Sequence, residues 1–165
     1  WGSGSLPLDY EGPGDNVLIF SSAADVGDPF VVVRDEQKLE GNTLTDYVLV
    51  TYPGAGEDVY VIGRYPDYQV NPGDALSGRV GLLLKPDDSC GSGDVTYRID
   101  YTVEGDLSSV KNLWKWSEIC DGETKSIQIP LDDLEGKKIQ FYLVLIANTS
   151  SEENYAVWDS LAIKR

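Results

Sequence analysis

The sequence predicts an all-β protein: a two-sheet antiparallel β-sandwich or jelly roll with very little helix. Three observations predict it. Val95, Tyr97, Ile99, Tyr101 and Val103 alternate with Thr96, Arg98, Asp100 and Thr102, the period-two pattern of a strand with one face buried and one wet. Short apolar runs are punctuated by Asp-rich clusters and by the 17 Gly and 8 Pro. No stretch carries a helical period.

The elements follow in chain order. Residues 1–15 hold four Gly and two Pro and read as a flexible or docking segment, ahead of a single sandwich domain over 16–165. Trp1 at the tip and the alternation Leu6-Pro7-Leu8-Asp9-Tyr10 suit a peptide that adds as a strand to the sheet edge of a neighbouring copy. The alternative is that it folds back as an edge strand of its own sandwich. Strands are expected near 17–20, 29–33, 47–52, 59–62, 80–84, 95–103, 113–119, 125–129, 139–147 and 155–163. Asn71-Pro72-Gly73-Asp74 and Cys120-Asp121-Gly122-Glu123 are turns, and 132–136 is one short helical turn. The run 139–147 is nearly all apolar, so its second face needs a cover, from a loop or a partner.

Composition excludes several chemistries. The 165 residues carry 28 acidic and 13 basic side chains, a formal charge of −15, and no His. Without His, Ser-His-Asp and Cys-His nucleophilic sites are impossible. Two cysteines alone cannot build an all-thiolate zinc site. A surface this acidic repels phosphate, so nucleic acid is not an expected partner. The longest apolar run, 141–147, falls far short of the ~20 residues of a spanning helix. The chain opens at Trp1 and reads as a mature secreted protein or a domain of a longer chain.

Cys90 and Cys120 stand in turn-like sequence on either side of two expected strands, and a bridge between them would pin neighbouring loops. That pair in an acidic β protein points to an oxidising, extracellular or cell-surface setting. In the loop 87–94, Asp87, Asp88 and Asp94 form a candidate calcium site, since calcium takes several oxygens and glycine lets backbone fold round it. The competing reading is a solvated polar loop. Trp1, Tyr65, Tyr68, Trp114 and Trp116 are the candidate ligand or interface aromatics. Trp114 and Trp116 share a strand parity and point to one face, either as core or as a platform for a sugar ring. Glycosidases use carboxylate pairs, but nothing marks one acid here as buried beside an ionised partner, so no catalytic residue is assigned.

The run from Val61 to Asp74 (VIGRYPDYQVNPGD) resembles a GRYP-x-Y-x-V-x-x-GD stretch in β-sandwich modules of secreted Chloroflexi-type bacterial proteins. Trp116-Ser117-Glu118-Ile119-Cys120-Asp121-Gly122 is similar to their W-x-E-x-x-DG stretch, and Ala147-Asn148, Ala156, Trp158 and Ile163 to their ending. The later part is also similar to carbohydrate-binding jelly-roll modules attached to bacterial glycosidases. Val80-Gly81-Leu82 departs from the group's IGC pattern. The resemblance implies a secreted, non-catalytic sandwich and carries over no sugar-contact residue. Two functions follow as expectations. The first is a structural or adhesive subunit of a surface assembly or filament, joined to copies of itself or to other surface subunits through its N-terminal segment. The alternative is a carbohydrate-binding module whose partner is a polysaccharide.

Overall fold

The computed structural model describes residues 1–20 and 27–165. It is a jelly-roll sandwich of two large antiparallel sheets, and the helical elements among the described residues are short 3-10 turns. Sheet A is built from β1 (Gly2–Ser5), β2 (Asn16–Val17), β7 (Val59–Arg64), β10 (Asp94–Val103), β11 (Lys111–Ile119) and β13 (Lys138–Ala147), in the order β11-β10-β13-β7-β1-β2. The short β8 (Tyr68–Gln69) pairs with the start of β13. Sheet B runs β12 (Lys125–Pro130), β9 (Ala75–Leu82), β14 (Ala156–Lys164), β6 (Tyr47–Tyr52) and β3 (Phe30–Asp35). A small hairpin, β4 (Lys38–Leu39) with β5 (Thr43–Leu44), sits between β3 and β6 in the chain. The helical turn expected at 132–136 is a 3-10 turn over Asp132–Leu134.

The register explains both faces of the long apolar strand. In β13, Ile139, Phe141, Leu143 and Leu145 join the core between the sheets, with Val95, Tyr97 and Ile99 of β10 and Val80, Leu82 and Trp158 of sheet B. Its alternate residues, Tyr142, Val144 and Ile146, lie on the outer face of sheet A with Tyr60 and Ile62. Leu8 and Tyr10 of the head cover that outer cluster, and the Tyr10 and Tyr142 rings meet edge to face at 5.3 Å. The cover is a loop of the same chain.

The head lies along its own sheet. β1 pairs with β7 on one side and β2 on the other, so both of its edges are occupied. The Trp1 ring rests on Gly63, where a Cβ would come within 2.5 Å of it. β1 itself has no free edge to offer a second copy, and residues 6–10 lie against sheet A through Leu8, Tyr10 and the hydrogen bond that the Leu6 amide donates to the Asp58 carbonyl. Sequence alternation could not find β1, which is Gly-Ser-Gly-Ser and has no apolar period to read.

The sheets are tied across the core by Tyr97. Its hydroxyl donates to the Gly81 carbonyl (2.7 Å) and accepts from the Val157 amide (3.1 Å), both in sheet B. Its ring meets Trp158 edge to face at 4.9 Å. At one end, Cys90 and Cys120 are bridged with their Cα atoms 5.4 Å apart, joining the loop after β9 to the turn after β11. Closing a loop across a separation of 30 residues restricts the unfolded chain by roughly 3–4 kcal/mol in the entropy picture.

Candidate functional site

The outer face of sheet A divides into an apolar half and a polar half. The apolar half is the cluster beneath Leu8 and Tyr10. The polar half comes from the even positions of β10, which the period of two aims away from the core. Arg98 stands beside Lys115 and Thr96 beside Ser117 across the β10–β11 ladder. Thr96 and Ser117 share a hydrogen bond at 3.2 Å.

Asp100 anchors this half. It is fully buried, yet its two oxygens accept four hydrogen bonds. Arg98 donates through Nε (3.1 Å) and Nη2 (3.0 Å), Asn112 donates from its amide (2.7 Å), and the Tyr10 hydroxyl donates at 2.7 Å. Burial, and then the Asp100 carboxylate that holds its proton, push the Tyr10 hydroxyl well above the usual tyrosine range. The carboxylate thus fixes both the arginine and the head segment on the sheet.

Between head and sheet runs an open groove of about 720 Å³. Thr96, Arg98, Lys115, Ile146 and Asn148 line it from the sheet, Leu6, Pro7, Leu8 and Tyr10 from the head, and Asp58 from the loop before β7. Asn148 is held by Asp94, which accepts from its amide at 2.6 Å, and its own oxygen accepts from Thr96 at 2.8 Å. The groove offers fixed donors and acceptors beside apolar and aromatic surface, the mixture that small-molecule sites use. A second cleft of about 400 Å³ opens between the sheets and is lined by Leu76, Ile99, Phe141, Leu143, Trp158 and Ile163, with Tyr65, Asp67 and Tyr68 among its remaining lining. Most of its lining is aliphatic or aromatic, and its polar groups are those of Tyr65, Asp67 and Tyr68.

The five aromatics expected as ligand or interface residues separate into two groups. Trp1 and Tyr65 meet edge to face at 6.3 Å, and Tyr65 and Tyr68 flank the inter-sheet cleft. Trp114 and Trp116 share one face of the edge strand β11, as their parity requires. Trp114 packs on the core. Trp116 is 36% exposed, but the Lys125 ammonium lies 4.0 Å from its ring centre and its indole donates to Glu118 at 2.9 Å. A ring face under an ammonium is not an open sugar platform. The groove residues Arg98, Lys115 and Tyr10 are not in the aromatic set. Arg98 belongs to the polar half of the 95–103 alternation, Lys115 to the 113–119 run and Tyr10 to the head, so nothing in the sequence groups them until the neighbouring strands are known.

Asp87, Asp88 and Asp94 are not brought together. Asp87 accepts from Ser89, Asp88 pairs with Lys38 at 2.6 Å, and Asp94 accepts from Asn148. Among the described residues, the carboxylates that do meet within 4.8 Å of one another are Glu40, Glu118 and Asp121. Glu40 is fully buried and accepts from the Leu82 amide (2.7 Å) and the Asp121 and Gly122 amides (3.0 and 3.3 Å). Burial raises its pKa. Burial likewise lifts Glu118 to about 7, and the charges of Glu40 and Asp121 push the same way. Glu118 and Asp121 stand three positions apart in the stretch 116–122, but Glu40 is 78 positions before Glu118, so spacing could not bring in the third.

No protein-family model matches this chain, and no curated protein matches it. Among solved structures it is similar to the CBM51 carbohydrate-binding module of GH95 from Clostridium perfringens, solved with methyl-galactose. The TM-score is 0.53 and the identity 12%, covering 78% of this chain and 80% of that one. It is also similar to a structure holding the CBM51-2 and INT domains of Clostridium perfringens ZmpB, with GlcNAc bound to the former. There the TM-score is 0.50 and the identity 17%, covering 86% of this chain but only 29% of that longer chain. At such identities the likeness establishes a shared jelly-roll fold.

Proposed function

From the fold those carbohydrate-binding modules share with this chain, we propose that it is a non-catalytic carbohydrate-binding module of a secreted or cell-surface protein, taking glycan in the groove between residues 6–10 and sheet A. The observation that carries the reading is the groove itself. Arg98, Thr96 and Asn148 are held by their own hydrogen bonds before any ligand arrives, next to the apolar surface of Leu8 and Tyr10. Pre-ordered donors lower the entropic cost of binding a hydroxyl-rich ligand. The similar fold of modules that bind methyl-galactose and GlcNAc supports the ligand class. The Cys90–Cys120 bridge supports an oxidising compartment. Self-assembly through the head has less support, since β1 is already paired on both sides.

The test is a nuclear magnetic resonance titration of the labelled chain against a panel of neutral and acidic polysaccharides. Shifts confined to Thr96, Arg98, Lys115, Asn148 and Tyr10 are expected for at least one of them. Absence of shifts across the whole panel, or shifts at the inter-sheet cleft instead, would overturn the site.

A further inference from the structure

We infer that the glycan taken by this groove is anionic, carrying a carboxylate or sulfate that pairs with Lys115 and Arg98. The inference rests on the carbohydrate reading of the groove and names its ligand class. Against 28 acids the chain carries 13 cationic side chains.

Most of them are already engaged. Lys38, Arg79, Lys85, Lys138 and Arg165 each face a carboxylate. Arg34 and Lys125 lie over aromatic rings, and Lys137 donates to the Asp133 carbonyl. On a chain of charge −15, where 28 acids compete for 13 bases, that is the expected fate. Among the described residues, Lys115 has no acidic partner, and Arg64, Lys111 and Lys164 have none either; of these four only Lys115 lines the groove. It sits beside Arg98 on the face that forms the groove, where a nearby carboxylate would have been easy to supply. Arg64 belongs to the same sheet and lines the depression on the other side of Tyr10, with Tyr142.

Arg98 adds direction. Asp100 takes its Nε and Nη2 in a two-point contact, which locks the guanidinium plane and leaves Nη1 without a partner among the described residues. The charge of Asp100 is shared among four donors, so it fixes the arginine without covering it. An anionic group above Arg98 and Lys115 would gain charge-assisted hydrogen bonds from an arginine that is already held and from a lysine whose ammonium is not committed to another acid among the described residues. Asp58 is the acid that lines the groove, so the charged group of the ligand is expected away from it. The rest of the acidic surface does not forbid this: at physiological salt a charge is screened over about 8 Å.

Calorimetric titration with trigalacturonate, a sulfated galactotriose and neutral galactotriose tests the inference. At least one acidic probe is expected to bind about tenfold or more tightly than the neutral one, the size of one charge-assisted bond. Trigalacturonate alone would identify a carboxylate, the sulfated sugar alone a sulfate. Lys115→Ala is expected to erase that margin with an unchanged melting temperature. Lys164→Ala, the same charge change on sheet B, is expected to leave it intact. Equal binding of the neutral probe, equal loss in the two variants, or a groove that accepts only neutral glycans would overturn the anion while leaving the module standing. No binding by these probes or by the polysaccharide panel would overturn both.

Discussion

Tyr97 and Glu118 make opposite use of burial. Tyr97 is fully buried with its hydroxyl satisfied at both ends, by Gly81 and Val157. Removing the oxygen leaves a carbonyl and an amide unpaired between the sheets, which costs about 1–3 kcal/mol. Tyr97→Phe is therefore expected to lower the urea midpoint by that much stability without altering the circular-dichroism spectrum. An unchanged midpoint would show that the hydroxyl does not tie the sheets. Glu118 is buried beside Glu40 and Asp121, and its pKa rises to about 7 from the ordinary 4.5. Such a group favours folding while it keeps its proton. Its full contribution is present below pH 4.5 and is lost as the pH rises toward 7, by on the order of 2–3 kcal/mol. Glu40, also raised by burial, acts in the same direction. Asp74 acts in the other, because the Asn71 amide and Tyr68 hydroxyl hold its pKa well below 3.8, so its contribution is lost as the pH falls through the acid range. Unfolding followed from pH 5 to 8 should show declining stability, and Glu118→Gln should flatten the decline. A stability that climbs toward pH 8 would contradict the assignment.

At the scale of elements, the head decides how sheet A ends. β1 supplies backbone hydrogen bonds to β7 and β2, and residues 8–10 roof the outer apolar cluster. The close approach of Trp1 to Gly63 holds only because position 63 lacks a side chain. Gly63→Ala is expected to displace the indole and cost about 1–3 kcal/mol through overpacking. The check is the near-ultraviolet signal of tryptophan together with proteolysis of the head. A variant with a native signal and native protease resistance would mean the ring has room to move. β11 shows how position within a sheet sets the role of a residue. Trp114 and Trp116 share a parity, yet one packs on the core and the other reaches the strand's open edge, where Lys125 covers it.

For the molecule as a whole, the charge of −15 is the main long-range force. Like charges brought together by folding repel, and the repulsion reaches about 30 Å at 0.01 M salt but about 10 Å at 0.1 M. The melting temperature is expected to rise with sodium chloride across that range, and a fall would mean that short-range ion pairs such as Lys138–Asp67 outweigh the net charge. The sequence by itself determined the class of fold, because a period of two and closely spaced turns leave few ways to bury the apolar residues. It also determined that 139–147 has two apolar faces, and which cysteines could pair. It could not determine what covers the second face, since the cover is Leu8 and Tyr10, more than 130 residues earlier in the chain. Only the tertiary structure decided that Asp100 would gather Tyr10, Arg98 and Asn112, that Lys115 would stand beside them with no acidic partner among the described residues, and that Asp87, Asp88 and Asp94 would each find a different partner. The physical reason is the same in each case. Local pattern records which way a side chain points from its own strand, whereas a site depends on which strands lie alongside, and that is set by long-range pairing across the sheet.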